Sequence, residues 1–144
     1  MATPKYMITY LIIRRTNLFL LLLLSTNAYA GDFRVIDGDT IAILKNKPDL
    51  SSLPISIRIL DIDTPEIKGK CEAEKAKAKE AKLFVQKLIN DPKNKITYTI
   101  AGWDKYGGRV LGNVFIDGKS LSELMIAKGL AREYHGEAKS SWCD

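Results

Sequence analysis

A segment rich in Ala, Lys and Glu, from Glu72 to Asn90, is the one long helical pattern in the chain. These residue types favour helix, and the apolar ones recur on one face. They stand at i, i+3, i+4 and i+7: Ala81, Phe84, Val85 and Leu88. Asp91-Pro92 ends the pattern, because a proline disfavours helical backbone in the residue before it. Since this helix interrupts a chain of strand-like runs, we expect an α+β domain.

Short strand-like runs lie on both sides of the predicted helix. Alternation and β-branched residues predict five strands, at residues 33–44, 55–60, 96–100, 110–116 and 130–134. Asp37-Gly38 indicates a bulge or bend inside the first, and alternation in the second places Arg58 opposite its isoleucines. A turn is expected at residues 45–52. Five strands suit a small barrel, but the pattern alone leaves several topologies open.

A second, shorter helix is expected after the fourth strand. Ser120 and Glu123 have the spacing of a capping box, in which each side chain bonds the other residue's backbone N–H. Gly129 is placed to end this helix.

The first thirty residues have the pattern of a secretory signal. Three basic residues precede the apolar run 18–24, and the small-residue site Ala28-Tyr-Ala30 follows it. The alternative is a membrane anchor, but the run is shorter than the roughly 20 residues that a spanning helix needs. We expect cleavage after Ala30, export to the periplasm or the medium, and no stable membrane association. Met1 and Met7 both remain possible starts.

Removing the first 30 of 144 residues leaves 114, enough for one domain at 31–144. The signal carries three of the 22 basic residues and none of the 17 acidic ones, so the net charge falls from +5 to +2. A weakly basic surface suits a nucleic-acid partner without requiring one. We expect a monomer.

Cys71 and Cys143 are the two cysteines of the chain. An even number in a small exported domain favours a disulfide, which would pin the segment before Cys143 beneath the loop that follows Glu66. The alternative is two unpaired thiols. A zinc site of Cys and His is not expected, because His135 is the only histidine.

Three short motifs carry the chemistry, each at the end of a strand-like run: residues 35–40 (VIDGDT), 58–66 (RILDIDTPE) and 104–109 (DKYGGR). Together they supply carboxylates, which suit a hard metal ion, and two guanidiniums, which suit a phosphate. A barrel or sheet can bring all three to one place although they are far apart in sequence.

In that order the motifs resemble the staphylococcal nuclease (thermonuclease) family, over residues 35–134. The resemblance implies a five-stranded OB-fold barrel that binds nucleic acid on one face. It also implies a Ca²⁺ site formed by Asp39, Asp63 and the main-chain carbonyl of Thr64, the hard oxygen donors that this ion prefers.

The resemblance assigns catalytic roles to Glu66, Arg58 and Arg109. Glu66 would be the general base towards an attacking water, and the two guanidiniums would meet the charge that grows on the phosphate oxygens. The alternatives are an N-terminal charge for the following helix in the case of Glu66, and an ordinary surface strand residue in the case of Arg58.

Arg109 follows two glycines, Gly107 and Gly108, where the founding nuclease of the family has one. The extra residue is either absorbed as a glycine bulge, or it turns the guanidinium away from the phosphate. Lys105 and Tyr106 correspond to family residues that contact a terminal phosphate of the nucleotide.

Tyr134 either stacks on a base or is a plain core tyrosine. With these residues the resemblance implies a calcium-dependent endonuclease that cuts DNA and RNA, preferably single-stranded, and leaves 3′-phosphate ends. The alternatives are a non-catalytic oligonucleotide-binding barrel and an exported domain that binds calcium only for stability.

Overall fold

The computed structural model describes residues 32–44 and 55–144. The predicted signal at 1–30 and the predicted turn at 45–52 lie outside the described residues. Within them, no helix is both long and apolar enough to cross a membrane.

Eight strands and two helices follow one another along the described chain. In order they are β1 (Phe33–Val35), β2 (Thr40–Ile43), β3 (Ile55–Ile59), β4 (Ile62–Asp63), α1 (Glu72–Asn90), β5 (Ile96–Trp103), β6 (Arg109–Ile116), β7 (Lys119–Ser120), α2 (Leu121–Ala127) and β8 (Arg132–Glu133).

The main sheet has the strand order β1-β2-β3-β6-β5, and β7 pairs with the end of β6. All of its pairs are antiparallel except β3 with β6, which run parallel; the connection between them contains β4, α1 and β5. The sheet curls so that its outer strands approach: Phe33 of β1 meets Tyr98 of β5 edge-on, with ring centroids 5.9 Å apart. The fold is α+β on an OB-fold barrel, as predicted.

The first predicted strand is wrong in one respect, because residues 33–44 form two strands rather than one bent strand. Residues 36–39 reverse the chain, and β1 pairs antiparallel with β2. The backbone N–H of Ile36 donates to Thr40 O at 2.9 Å, and the Asp37 carboxylate accepts from the N–H of Asp39 at 3.2 Å. This side-chain bond makes Asp37-Gly38 a turn and fixes the backbone of Asp39.

The core lies between the curled sheet and one face of α1. The isoleucines of β3 are buried while Ser56 and Arg58 are partly exposed, which confirms the predicted alternation. On α1 the buried side includes Ala81 and Val85, while Phe84 and Leu88 pack partly exposed at its margin. The helix has the predicted bounds, with Cys71 at its N-cap and Asp91 at its C-cap.

The helix α2 begins after Ser120 and ends before Gly129, as predicted, but the hydrogen bonding at its start differs from the prediction. Ser120 is the N-cap residue, yet its hydroxyl bonds the hydroxyl of Ser122 at 2.6 Å and makes no cap bond to the backbone. The expected capping box is therefore absent. Gly129 has φ +67° and ends the helix, with Leu130 N–H donating to Met125 O at 2.9 Å.

Candidate active site

One open cleft of about 610 Å³ collects nearly all of the predicted site residues. The walls come from the β1–β2 turn, β3, the loop after β4, the β5–β6 turn and the tail, by which we mean residues 134–144. Those lining the cleft are Asp39, Arg58, Thr64, Glu66, Lys105, Tyr106, Arg109 and Tyr134. Asp63 is buried and lines a neighbouring cleft of about 410 Å³ that shares Thr64 and Glu66 with the first.

Asp39 is a buried carboxylate with a partner on every side. Thr64 donates its hydroxyl to Oδ2 at 2.9 Å, Thr40 donates to Oδ1 at 3.0 Å, and Arg58 Nη2 forms an ion pair with Oδ2 at 3.0 Å. Burial raises the pKa of Asp39, and the charge of Arg58 only partly opposes that effect. Hydrogen bonds from Thr64 and Thr40 also act to lower the pKa of Asp39.

Asp63, 4% exposed, is held by two residues of the tail. The indole Nε1–H of Trp142 donates to Oδ2 at 2.9 Å. Oδ1 has no well-directed hydrogen-bond donor among the described residues, yet Lys139 Nζ lies 2.7 Å away and supplies the counter-charge. The same ammonium is 3.6 Å from Glu66 Oε1. Partial burial of Lys139 disfavours its charge, but the carboxylates of Asp63 and Glu66 outweigh this and raise its pKa.

The two aspartates fit a hard divalent cation. Both are buried, and the Thr64 hydroxyl links Asp39 to the residue next to Asp63. Each carboxylate also forms an ion pair, Asp39 with Arg58 and Asp63 with Lys139, so both carboxylates already interact with positive charge. Carboxylate oxygens suit Ca²⁺ or Mg²⁺, with backbone oxygen and water completing the shell.

Arg58 is fixed before any ligand arrives. Its register opposite Thr40 on β2 brings the side chain over the β1–β2 turn. Nη1 donates to Ile59 O at 2.8 Å and Nη2 donates to Ile62 O at 3.1 Å, in addition to the Asp39 ion pair. A guanidinium held by carbonyls and a carboxylate loses little freedom on meeting a phosphate.

Arg109 lies on the same cleft despite the doubled glycine. Gly108 has φ +77°, and the turn closes by a bond from Asp104 N–H to Arg109 O at 3.0 Å. The left-handed glycine thus takes up the extra residue. The guanidinium forms an ion pair with Asp104 and lies over the Tyr106 ring, 5.0 Å from its centroid. Although Asp104 is partly desolvated, its bond to Arg109 and a second from Lys105 N–H keep the pKa of Asp104 low.

Glu66 projects from the loop between β4 and α1, and its side chain is 64% exposed. Its backbone N–H donates to Glu74 Oε1 at 3.2 Å, and Lys70 N–H donates to Glu74 Oε2 at 2.8 Å. Buried Glu74 therefore ties this loop to the first turn of α1. The acidic residues of that turn are Glu72 and Glu74, so the structure does not support Glu66 as the helix's N-terminal charge.

Lys105, Tyr106 and Tyr134 line the outer cleft. Lys105 Nζ lies 5.1 Å from the Tyr106 ring centroid, and both side chains are exposed. Tyr134 is half-buried beside Lys139, which lies 5.7 Å from its ring centroid. Its N–H donates to Asp61 O at 3.0 Å, which fixes the start of the tail.

Cys71 and Cys143 are joined in a disulfide, with their Cα atoms 5.9 Å apart. The bond attaches the tail to the residue that caps α1, and residues 68–70 and 139–143 both line the smaller cleft.

The sequence profile described as "Staphylococcal nuclease homologue" matches residues 56–142. The chain belongs to the staphylococcal nuclease family. The match contains Arg58, Asp63, Glu66 and Arg109, while Asp39 lies before it.

This staphylococcal nuclease homologue is similar to several curated proteins. It is 37% identical over 101 residues to Endonuclease YncB of Bacillus subtilis (strain 168), covering 69% of this chain and 44% of that protein. It is 31% identical over 99 residues to the thermonuclease of Staphylococcus hyicus, covering 69% and 55%. It is 32% identical over 117 residues to Protein ParB of Escherichia coli, covering 73% and 58%. The chain thus spans about half the length of the curated relatives it matches.

Four residues that sequence reasoning missed shape the site of this family member: Glu74, Asp104, Lys139 and Trp142. Asp104 stood inside a recognised motif, and its spacing from Arg109 across a turn was an available signal. Glu74, in the first turn of the predicted helix, stood where an acid reaches back to free N–H groups. For Lys139 and Trp142 the sequence held no comparable signal, because their contacts depend on where the tail lies.

Proposed function

We propose that this protein is a calcium-dependent endonuclease that hydrolyses phosphodiester bonds of DNA and RNA, with a preference for single strands. One observation carries the proposal: a single cleft holds the Glu66 carboxylate and the Arg58 and Arg109 guanidiniums beside the buried pair Asp39 and Asp63. The relatives named endonuclease and thermonuclease add support.

The chemistry assigned to these residues is an in-line displacement at phosphorus. Glu66 accepts a proton from the attacking water as the new P–O bond forms. The bond from phosphorus to the 5′ oxygen breaks and that oxygen takes up a proton from solvent, which leaves a 3′-phosphate on one product and a 5′-hydroxyl on the other. Arg58 and Arg109 donate to the non-bridging oxygens, where negative charge concentrates. A cation at Asp39, Asp63 and the Thr64 carbonyl would supply Lewis-acid stabilisation of that charge.

The outer cleft suits a nucleotide chain. Lys105 and Tyr106 offer a cation and a phenol hydroxyl to a flanking phosphate, and Tyr134 offers a ring to a base. Unpaired bases can reach such a ring more easily than stacked ones can, which is the reason for proposing a single-strand preference.

We assign the protein to an exported compartment, periplasmic or extracellular, where it acts as a monomer. The signal-like residues 1–30 and the Cys71–Cys143 bond support this, since disulfides persist in oxidising compartments.

Hydrolysis of heat-denatured DNA and of RNA tests the proposal. With Ca²⁺ the purified protein should shorten both, and excess chelator should abolish cleavage. The products should accept 3′ extension by a polymerase only after phosphatase treatment. Undiminished cleavage in chelator would remove the metal assignment, and direct 3′ extension would remove the 3′-phosphate assignment.

A non-catalytic oligonucleotide-binding barrel is the second candidate. The observation in its favour is that Arg58 and Arg109 are each already paired with a carboxylate. Tight binding of denatured DNA with no cleavage, at any Ca²⁺ concentration, would favour it.

A further inference from the structure

We propose that Trp142 is a positioning residue for Asp63, and that the Cys71–Cys143 disulfide holds it there, so that the metal site is complete only in the oxidised protein. This inference rests on the proposed function, because it concerns the cation site of the same cleft.

The contact of Trp142 with Asp63 is direct and buried. The indole is 8% exposed, and its Nε1–H lies 2.9 Å from Asp63 Oδ2. An indole N–H can only donate, so this bond fixes the rotation of the Asp63 carboxylate. With Oδ2 held in this way, Oδ1 is the oxygen that faces the Lys139 ammonium.

Two cationic side chains lie over the indole ring. The Arg132 guanidinium lies 3.8 Å from the ring centroid, and Lys77 Nζ lies 5.4 Å from it. Arg132 also donates to Ser141 O at 2.7 Å, so one side chain supports both the ring and the backbone beside it.

Apart from side-chain contacts and the Arg132–Ser141 bond, the tail has no regular secondary structure to hold it. After β8 the described residues include no further helix or strand, and residues 135–141 are exposed. Cys143 is the residue next to Trp142, and its bond to Cys71 links the tail covalently to the start of α1. Ordering such a segment without a covalent link costs conformational entropy at every residue. The disulfide therefore gives the bond from Trp142 to Asp63 a covalent support beside these non-covalent ones.

The consequence is a nuclease whose cation site depends on its redox state. Thiols stay reduced in most cytosols, and disulfides form after export. Before export, Asp63 would lack its fixed donor, and the protein would bind Ca²⁺ weakly in the compartment that holds the cell's own nucleic acids. After oxidation the site would be complete.

Calorimetric titration with Ca²⁺ tests the positioning role directly. Trp142→Phe keeps an aromatic ring beside the two cations and removes the N–H together with part of the ring volume. We expect Ca²⁺ affinity to fall roughly 10–100-fold, as is typical when a group that orients a metal ligand is lost. Trp103→Phe is the matched control, because Trp103 is 57% exposed and outside both clefts; its affinity should equal that of the wild type.

A split between affinity and rate separates positioning from a purely structural role. At saturating Ca²⁺ the cleavage rate of Trp142→Phe should return towards the wild-type value, even though the lost ring volume and hydrogen bond lower its melting temperature in chelator. Wild-type Ca²⁺ affinity in Trp142→Phe would overturn the proposal.

The redox arm uses the full chain with Cys71→Ser and Cys143→Ser together, compared with oxidised wild type. We expect circular dichroism to show a folded barrel with Ca²⁺ affinity reduced at least as much as in Trp142→Phe. A folded double variant that binds Ca²⁺ like the wild type would overturn the dependence on the disulfide. If the double variant fails to fold, the Ca²⁺ site depends on the disulfide because the whole fold does. The Ca²⁺ affinity of Trp142→Phe then decides the positioning role.

Failure of this inference is distinct from failure of the proposed function. The oxidised wild type could bind Ca²⁺ with an affinity that depends on Trp142 and yet cut no nucleic acid. That result would refute the proposed nuclease and leave the inference standing. If both variants cleave and bind Ca²⁺ like the wild type, the proposed nuclease stands and this inference is refuted. Oxidised wild type without any Ca²⁺ binding would overturn the inference itself.

Discussion

At the scale of single residues, Lys139 has an unusual position for a lysine. Its ammonium lies 2.7 Å from Asp63 Oδ1 and 3.6 Å from Glu66 Oε1, although its side chain is 44% exposed. Two carboxylates near one another repel, and a cation between them relieves that repulsion. A divalent ion at Asp63 would meet the same carboxylate and the positive charge of Lys139. Lys139 therefore competes with the metal.

We expect Lys139→Met to bind Ca²⁺ more tightly than the wild type, by roughly tenfold, which corresponds to about 1.4 kcal/mol of removed repulsion. Without Ca²⁺ the variant should be less stable by about 1–3 kcal/mol, since the buried Asp63 Oδ1 loses its counter-charge. Calorimetric titration and thermal melts with and without Ca²⁺ measure both effects. Lys79→Met removes a charge from the exposed part of α1 and should change neither; equal or weaker binding by Lys139→Met would contradict the competition.

Arg109→Ala should slow cleavage of denatured DNA by roughly 10²- to 10³-fold, because one donor to the charge-bearing oxygens is lost, at about 2.7–4 kcal/mol in the barrier. Affinity for Ca²⁺ should hardly change. Single-turnover rates provide the measurement, and Arg34→Ala, an exposed arginine on β1, is the control. A rate like that of the wild type would mean that the ion pair with Asp104 keeps Arg109 out of the reaction.

At the scale of elements, the loop between β4 and α1 owes its shape to Glu74. This carboxylate, 7% exposed, accepts from the backbone N–H groups of Glu66 and Lys70. Gly69 passes so close that a Cβ there would lie 2.5 Å from Glu74 Cδ. The start of the helix thus determines where the proposed base stands.

Glu74→Ala should lower the free energy of unfolding by about 1–3 kcal/mol, because two backbone N–H groups lose their acceptor. It should also slow cleavage, since the Glu66 loop is no longer tied down. Glu72→Ala, in the same helical turn but with a side chain that is 90% exposed, should stay within about 0.5 kcal/mol of the wild type. Urea denaturation compares them. Equal stability of the two variants would show that Glu74 does not hold the loop.

The β5–β6 pair depends on Gly112. A Cβ at this position would lie 2.1 Å from Thr99 O, close to the irregularity in the pairing between Ile100 and Gly102. Gly112→Ala should therefore cost about 3 kcal/mol of stability. Gly102→Ala, where a Cβ meets nothing within 4 Å, should cost much less. Thermal melts measure both, and a harmless Gly112→Ala would contradict the close approach.

The elements that the sequence predicted well are those set by local chemistry. The bounds of α1 follow from composition and from Asp91-Pro92, and the end of α2 follows from Gly129. The two wrong predictions, the capping box and the bulge, concern places where two local interactions competed. Ser120 has the spacing of a capping box, but Ser122 takes its hydroxyl. Asp37-Gly38 has the pattern of a bulge, but the bond from Asp39 N–H to the Asp37 side chain turns the chain back.

At the scale of the whole molecule, the candidate site was predictable in part. Asp39, Arg58 and Glu66 lie in motifs whose residue types indicate metal binding and phosphate chemistry. The barrel brings them to one cleft. The residues that hold Asp63 were not predictable. Trp142 is 79 positions from Asp63 in sequence, and the residues around Trp142 and Lys139 form no motif that indicates a site. Their contacts arise only once the disulfide and the curled sheet bring the tail over the cleft.

The most direct test of the account is the single-turnover cleavage rate of denatured DNA by Glu66→Gln in saturating Ca²⁺, beside the wild type. The change keeps the size of the side chain and removes the basic carboxylate, so DNA binding and Ca²⁺ affinity should persist while the rate falls roughly 10²- to 10⁴-fold. That result would place a proton acceptor at Glu66 in a metal-dependent nuclease. Cleavage at the wild-type rate would contradict the role of Glu66 as the general base.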